Sequence, residues 1–236
     1  MLFSPIFLAL GTLFLLLNAA MFLAVLQEFT QEPHFVHPTA HWLQTFWIGA
    51  LLVVPLLSMR SIAEERSGGT LDGLLSIPLK SATVVGCKFC ALWAHYLFLW
   101  MCSIGIQAYA GSSGCVSFPF PFFSSMEFAG GMAFLAMAGA LHLSLGLLFS
   151  AVFRSTTMAG AATFVSLLSL FFGPRILNQF LLPGSCSALR HFLSQQDAFI
   201  VLEEFTTGIF DSQTILLHIS LTISALVLAA TFLRRP

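Results

Sequence analysis

Charge is what this chain has least of. Only 8% of its 236 residues are Asp, Glu, Lys or Arg, against about 25% in a soluble domain, so it lacks the polar surface of a protein that folds free in water. Nine basic and ten acidic residues leave a formal net charge of -1, which provides no cationic face for nucleic acid or an acidic polymer. No GxxxxGK(S/T) phosphate loop occurs, and no stretch is polar enough for a nucleotide-binding domain. Any ATPase must therefore be another chain. GxSxG, HExxH and paired carboxylates within an apolar segment are also missing, so hydrolytic chemistry has no constellation to rest on. The expectation is a non-enzyme with no cofactor of its own. Five cysteines at irregular positions make no disulfide framework. Cys87 and Cys90 form a CxxC that opens an apolar segment without a second ligand pair, while Cys115 and Cys186 both fall on the outer side of the topology below, where an oxidising compartment would let them pair.

What the chain has instead is apolar length. Hydrophobic residues make up 58% of it and 26 are phenylalanine, more than a water-soluble core could hide, and the mean hydropathy of +0.92 is that of a polytopic membrane protein. Six apolar segments reach or approach the roughly 20 residues a helix needs to cross a bilayer. They run over residues 3–26, 42–59, 83–110, 126–153, 157–172 and 215–233. The first is preceded by no basic region and followed by no convincing small-x-small site, so it reads as a span and not a signal peptide. Trp42 and Trp47 are expected at the outer interface, where indole rings settle. The fourth segment is crowded with Gly130, Gly131, Gly139 and Gly146, which predicts a helix in the protein interior or at a dimer seam, since small residues let helices approach closely in lipid.

With the N-terminus inside, Arg60, Arg66, Lys80, Lys88, Arg154, Arg234 and Arg235 fall inside and Arg175 and Arg190 outside, as the positive-inside rule asks. Lys88 is expected to snorkel toward the headgroups. Gly173-Pro174 is expected to end the fifth span. Residues 173–212 are too apolar for a free loop and too interrupted for a span, which suits two half-helices dipping into the outer leaflet, one near Ile176 to Leu182 and one from Ser187 to Phe205.

The polar island between the second and third spans, residues 60–80, has its own pattern. Thr70 is a good N-cap, Leu71, Leu74 and Leu75 share one helical face, and Pro78 forbids continuation. Gly68-Gly69 lets the backbone turn after Glu64-Glu65-Arg66. The order Pro55-x-x-x-Met59-Arg60, Ala63-Glu64-Glu65-Arg66, Ser67-Gly68, Gly69-Thr70-Leu71-Asp72, Leu74-Leu75, Pro78 and Gly86-x-Lys88-Phe89 resembles the ABC-2 type transporter permeases. Within them it looks most like the gliding-motility-associated branch. The segment from Phe205 to Asp211 resembles the family's lead into its last span. Asp72-Gly73 departs from the pattern, standing where relatives often carry glutamate and leucine.

The resemblance implies an all-α fold, a single ABC-2 type transmembrane domain over residues 1–236 with six transmembrane helices, a cytoplasmic coupling helix in the loop 60–80 and outer re-entrant helices in 173–212. It implies a multi-pass permease of a bacterial cytoplasmic membrane with both termini cytoplasmic, working as a dimer with itself or a similar chain. A separate ATP-binding subunit would carry ATP and magnesium and drive export or mechanical work. Leu71, Leu74 and Leu75 would bury in a groove of that subunit, with Glu64, Glu65, Arg66, Gly69, Thr70, Asp72 and Pro78 completing the coupling interface. Relatives usually place an amphipathic elbow helix before the first span; here about four residues precede it, so either the chain starts upstream or the elbow is dispensed with.

Glu203 and Glu204 are candidates for gating or substrate contact, and an exposed helix end explains them equally well. Asn18, His95, Gln107, His142 and His218 lie within spans and are expected to bond across helices rather than mark a path. Two other functions fit parts of the sequence. His34, His37 and His41 would be the ligands of a membrane-embedded metal enzyme, although Pro38 disfavours helix at His37, and a non-transporting scaffold of an envelope machine would share every feature of the exporter.

Overall fold

Long apolar runs become long helices because a bilayer offers no other partner for backbone amides and carbonyls. The computed structural model of the chain describes residues 5–31, 38–69, 80–112, 125–180, 193 and 196–233. Its helices are α1 (Pro5–Gln31), α2 (Pro38–Leu43), α3 (Phe46–Ser58), α4 (Ala63–Ser67), α5 (Ser81–Ser112), α6 (Ser125–Val152), α7 (Thr156–Phe180), α8 (Ala198–Thr206) and α9 (Ser212–Leu233). Among the described residues six stretches are long and apolar enough to cross a membrane: Leu8–Glu28, Thr39–Arg66, Ser81–Tyr109, Glu127–Val152, Thr156–Leu177 and Ser212–Leu233. The fold is all-α and polytopic, as the apolar runs led one to expect. Leucines 8, 16 and 216, Phe98 and Val227 stand exposed on α1, α5 and α9, an outer surface suited to lipid and not to water.

The fourth span, α6, is the axis of the bundle. It packs against α2, α3, α5, α7, α8 and α9, and its glycines are why it can. Gly130 lies directly under the Phe205 carbonyl of α8, and Gly139 lies under the Tyr96 ring of α5, both too close for a β-carbon to fit. Of the two places the sequence allowed, the structure puts this helix in the interior. At Gly130 the obstacle is backbone, which cannot rotate away. Gly130→Ala should therefore destabilise by about 1–3 kcal/mol as an overpacked contact, whereas Gly86→Ala, which meets nothing within 4 Å, should be neutral or stabilising; thermal unfolding of the two variants in detergent checks both.

Around α6, aromatic rings interlock edge to face, the arrangement their quadrupoles favour. Phe46 of α3 meets Phe134 of α6 at 5.2 Å and Phe171 of α7 at 5.5 Å, and Phe14 of α1 meets Trp100 of α5 at 5.4 Å. Trp42 belongs to this core. It is 1% exposed and packs on Trp100 and Phe22, so it faces into the bundle instead of toward headgroups; of the two tryptophans expected at the interface, Trp47 alone is partly exposed.

The fifth span corrects a second expectation. α7 continues through Gly173-Pro174 to Phe180. A proline removes one intrahelical hydrogen bond but does not by itself end a membrane helix, and the extension is held by Arg175, whose Nε donates to Asp197 Oδ2 at 3.1 Å and whose guanidinium lies 4.5 Å from the Phe199 ring centre. The first expected half-helix is thus largely the end of α7. Of the second, α8 is described, N-capped by Asp197 through the Phe199 amide. Residues 181–192, with Cys186, and residues 113–124, with Cys115, lie outside the described residues.

Candidate functional site

The segment joining α3 to the coupling loop leaves the bundle at Ser58, turns over residues 59–62 and makes one short helix, α4. An isolated helix of five residues has no stability of its own, so its neighbours must hold it. Three side-chain ties do so, two of them made at helix ends.

Ser150, near the end of α6, acts as a cap supplied from another helix. Its Oγ accepts from the amides of Ile62 at 3.1 Å and Ala63 at 3.0 Å, and donates to the Met59 carbonyl at 3.3 Å. Ile62 and Ala63 are fully buried, and Ile62 seats among Val84, Val85, Leu147, Ala151, Ala229 and Leu233, so no water can replace the serine. Ser150→Ala should cost about 1–3 kcal/mol for each amide left unsatisfied, read as a lowered unfolding midpoint; an unchanged midpoint would remove Ser150 from the account.

Arg66, at the other end of α4, reaches the last turns of two spans. Its Nη1 donates to the Ala151 carbonyl of α6 at 2.7 Å and its Nη2 to the Phe232 carbonyl of α9 at 3.3 Å. Both carbonyls lie in the final turn of their helices, where a cation is favoured by the helix dipole. A planar fork of donors can bridge two such ends; a lysine could not.

Lys88 of α5 is the third tie. Its Nζ donates to the Ser61 carbonyl and to Glu65 Oε1, both at 2.6 Å, and the Lys88 and Glu65 side chains are 17% and 22% exposed. Lys88 therefore turns inward to the loop rather than snorkelling outward. Together the three ties join residues 59–66 to α5, α6 and α9.

The chain leaves this anchorage at Gly69, whose φ of +68° lies in the left-handed region that favours glycine. Its amide bonds the Arg66 carbonyl at 3.3 Å, and Gly68 bonds the Glu64 carbonyl at 2.9 Å. Residues 70–79, with Thr70, Leu71, Asp72, Leu74, Leu75 and Pro78, lie outside the described residues. Of the expected coupling residues, Glu65 and Arg66 are thus engaged within the chain, not turned outward beside a partner, while Glu64 is exposed.

The other candidates lie elsewhere. Glu203 is exposed and Glu204 half-buried near the end of α8, and their carbonyls accept from the hydroxyls of Thr206 and Thr207. His34 and His37 lie outside the described residues; His41 pairs with Glu28 at 3.3 Å, and among the described residues no cluster could hold a metal ion. Asn18, Gln107 and His218 bond within their own helices, to Phe14, Ser103 and Thr214, not across helices as expected, because the residue four positions back is always within reach.

Ser150, Ala151 and Phe232 were missed from sequence. A lone serine four residues before Arg154 carries no signal, and backbone carbonyls have none. Lys88 and Arg66 were both in the motif, but nothing in their spacing said that they point inward.

Two comparisons bear on what this anchorage serves. No curated protein matches the chain at a significant level. A family described as ABC-2 family transporter protein matches residues 2–234, nearly the whole sequence. The chain therefore belongs to the ABC-2 family of transporter proteins, as a membrane permease component that associates with an ATP-binding subunit and is not itself the ATPase.

Proposed function

We propose that residues 60–80 are the transmission element of this permease, with the coupling helix at about 70–78 seated in a groove of the ATP-binding subunit and residues 59–66 as the strut that carries its motion into the bundle. The observation that carries this reading is the triple tie of that strut to α5, α6 and α9. A loop made only to connect two spans would not need a serine cap from one helix, an arginine fork across the ends of that helix and a second, and a lysine from a third. Leu71, Leu74 and Leu75 supply the buried face in the partner, Thr70 and Pro78 bound the helix, Gly69 sets the exit, and Asp72 and Glu64 lie beside the contact. Glu65 and Arg66 act from within, holding the strut.

ATP and magnesium bind the partner subunit. Two permease chains, identical or similar, complete the translocation path, because one bundle of six spans does not enclose one. The protein sits in a bacterial cytoplasmic membrane with both termini inside, an orientation supported by the basic residues on the coupling-loop side. Its motif order is that of the gliding-motility-associated branch, and its work is export or the transmission of force to the envelope. Glu203 and Glu204, at the opposite end of the bundle, are positioned for gating contacts.

Site-directed cross-linking tests the docking. Leu75→Cys in a cysteine-free background, labelled in native membranes with a maleimide that carries a short photoactivatable diazirine and then irradiated, should give an adduct containing an ATP-binding subunit. An adduct with no ATPase, or none at all while Arg235→Cys is modified from the cytoplasm, would contradict it.

A further inference from the structure

A groove of about 870 Å³ runs between α3 and α7 on the outside of the bundle, within the size of sites that bind small amphiphiles. Its walls are apolar: Ile48, Leu51, Leu52 and Leu56 on one side, Gly160 and Phe164 on the other. Trp47, braced edge to face against Phe172 at 5.5 Å, stands at its far end. From Ile48 to Met59 the trough is about 17 Å long at helical rise, close to the roughly 15 Å depth of one leaflet's hydrocarbon.

Its other end is different in kind. Arg60, Thr156 and Thr157 line the mouth on the coupling-loop side, and no lining residue is acidic. Arg154 is exposed in the turn two residues before Thr156. Arg66, Lys88 and Arg175 are all engaged within the chain, whereas Arg60 and Arg154 have no hydrogen bond or ion pair among the described residues, and neither do the hydroxyls of Thr156 and Thr157. Many other helical serines and threonines here bond back to their own helix, as Thr163 does to Ala159 and Thr222 to His218. Two unneutralised guanidinium groups and two unused hydroxyls at headgroup depth, above a leaflet-deep apolar trough, match one chemistry. It is an anion attached to a hydrocarbon chain.

We propose that this groove holds one anionic phospholipid of the leaflet on the coupling-loop side, with its phosphate between Arg60 and Arg154, its ester oxygens at Thr156 and Thr157, and an acyl chain along the trough toward Trp47. The lipid would sit at the turn from α3 into the strut, so its presence would bear on how that strut is held. The proposal rests on the membrane embedding of the bundle and not on the ATPase, so its failure is separate from failure of the coupling reading.

Native mass spectrometry tests it, using the full chain ejected from nanodiscs of phosphatidylcholine containing a minor share of phosphatidylglycerol. The expected result is about one retained phosphatidylglycerol per chain, enriched about tenfold over its share in the disc. R60Q/R154Q should lose that enrichment, R60K/R154K should keep most of it, and A161W, which fills the trough, should lose retained lipid of either kind. Equal retention of the two lipids by wild type overturns the proposal even if the variants fail to fold, and so does undiminished enrichment in R60Q/R154Q. Spontaneous disulfide-linked dimers of Ala161→Cys in a cysteine-free background, with no lipid retained by wild type, would assign the face to a second copy of the chain and overturn it as well.

Discussion

Leu71→Asp/Leu74→Asp is expected to abolish copurification of the ATP-binding subunit while leaving the permease folded in the membrane. Each leucine buried in a partner groove contributes about 1.5–3 kcal/mol, so removing two forfeits about 3–6 kcal/mol, or two to four orders of magnitude in affinity. The aspartates add to this, because a carboxylate does not enter an apolar groove unpaired. The fold should be spared, because residues 59–66 are held by Ser150, Arg66 and Lys88, none of which the substitutions touch. Pull-down from native membranes in mild detergent, with the unfolding midpoint measured on the same sample, reads both halves. If the ATPase is retained by the double variant, the apolar stripe is not the docking face.

The second large effect is expected from Arg66, and its sign is opposite in the pull-down. Arg66→Gln should keep the ATPase bound, since the docking helix is unchanged, yet uncouple its motion from the bundle. The lost bonds are charge-assisted and run to carbonyls in the last turns of α6 and α9, each contributing about 1.5–3 kcal/mol. Without them α4 remains tied to α6 by Ser150 and to α5 by Lys88, but its hydrogen-bonded link to α9 is gone and only the apolar packing of Ile62 near Ala229 and Leu233 is left. In the reconstituted complex, ATP should change hydrogen exchange in the last turns of both α4 and α9 in the wild type. The variant should show the change in α4 alone. Arg66→Lys should behave nearly like Arg66→Gln, because a single ammonium does not span two helix ends.

The six spans were legible because their signal is length and apolarity, and both survive without knowledge of any neighbour. The glycines of α6 were legible as a demand for close approach, and the structure satisfies it at Phe205 and Tyr96. Pro174 misled because the rule that proline ends a helix belongs to water; in a membrane helix the carbonyl it frees need only be sheltered by neighbouring groups. Trp42 misled for a related reason. Tryptophan favours the interface on average, but one that can stack on Trp100 and Phe22 gains more inside the bundle. The anchorage was half legible. Glu65, Arg66 and Lys88 stood out as rare charges among apolar residues, but apart from the pairing of Lys88 with Glu65 their partners are backbone carbonyls, up to 166 residues away. Every residue offers a carbonyl, so no pattern of side chains could have named Ala151 or Phe232.

A strut that carries the ATPase's motion into the bundle requires α4 and the end of α9 to move as one body. Spin labels at Gly68→Cys and Thr231→Cys in a cysteine-free background measure this directly in the complex with its ATP-binding subunit. Both positions are exposed, and a third label at exposed Leu8→Cys on α1, which packs against α2, α3 and α5, provides the reference. On ATP binding, the distance from residue 68 to 231 should stay fixed, while the distances from 68 and from 231 to residue 8 change together. A change in the 68 to 231 distance with 231 stationary relative to residue 8 would show that the strut moves without the span, and would contradict the account.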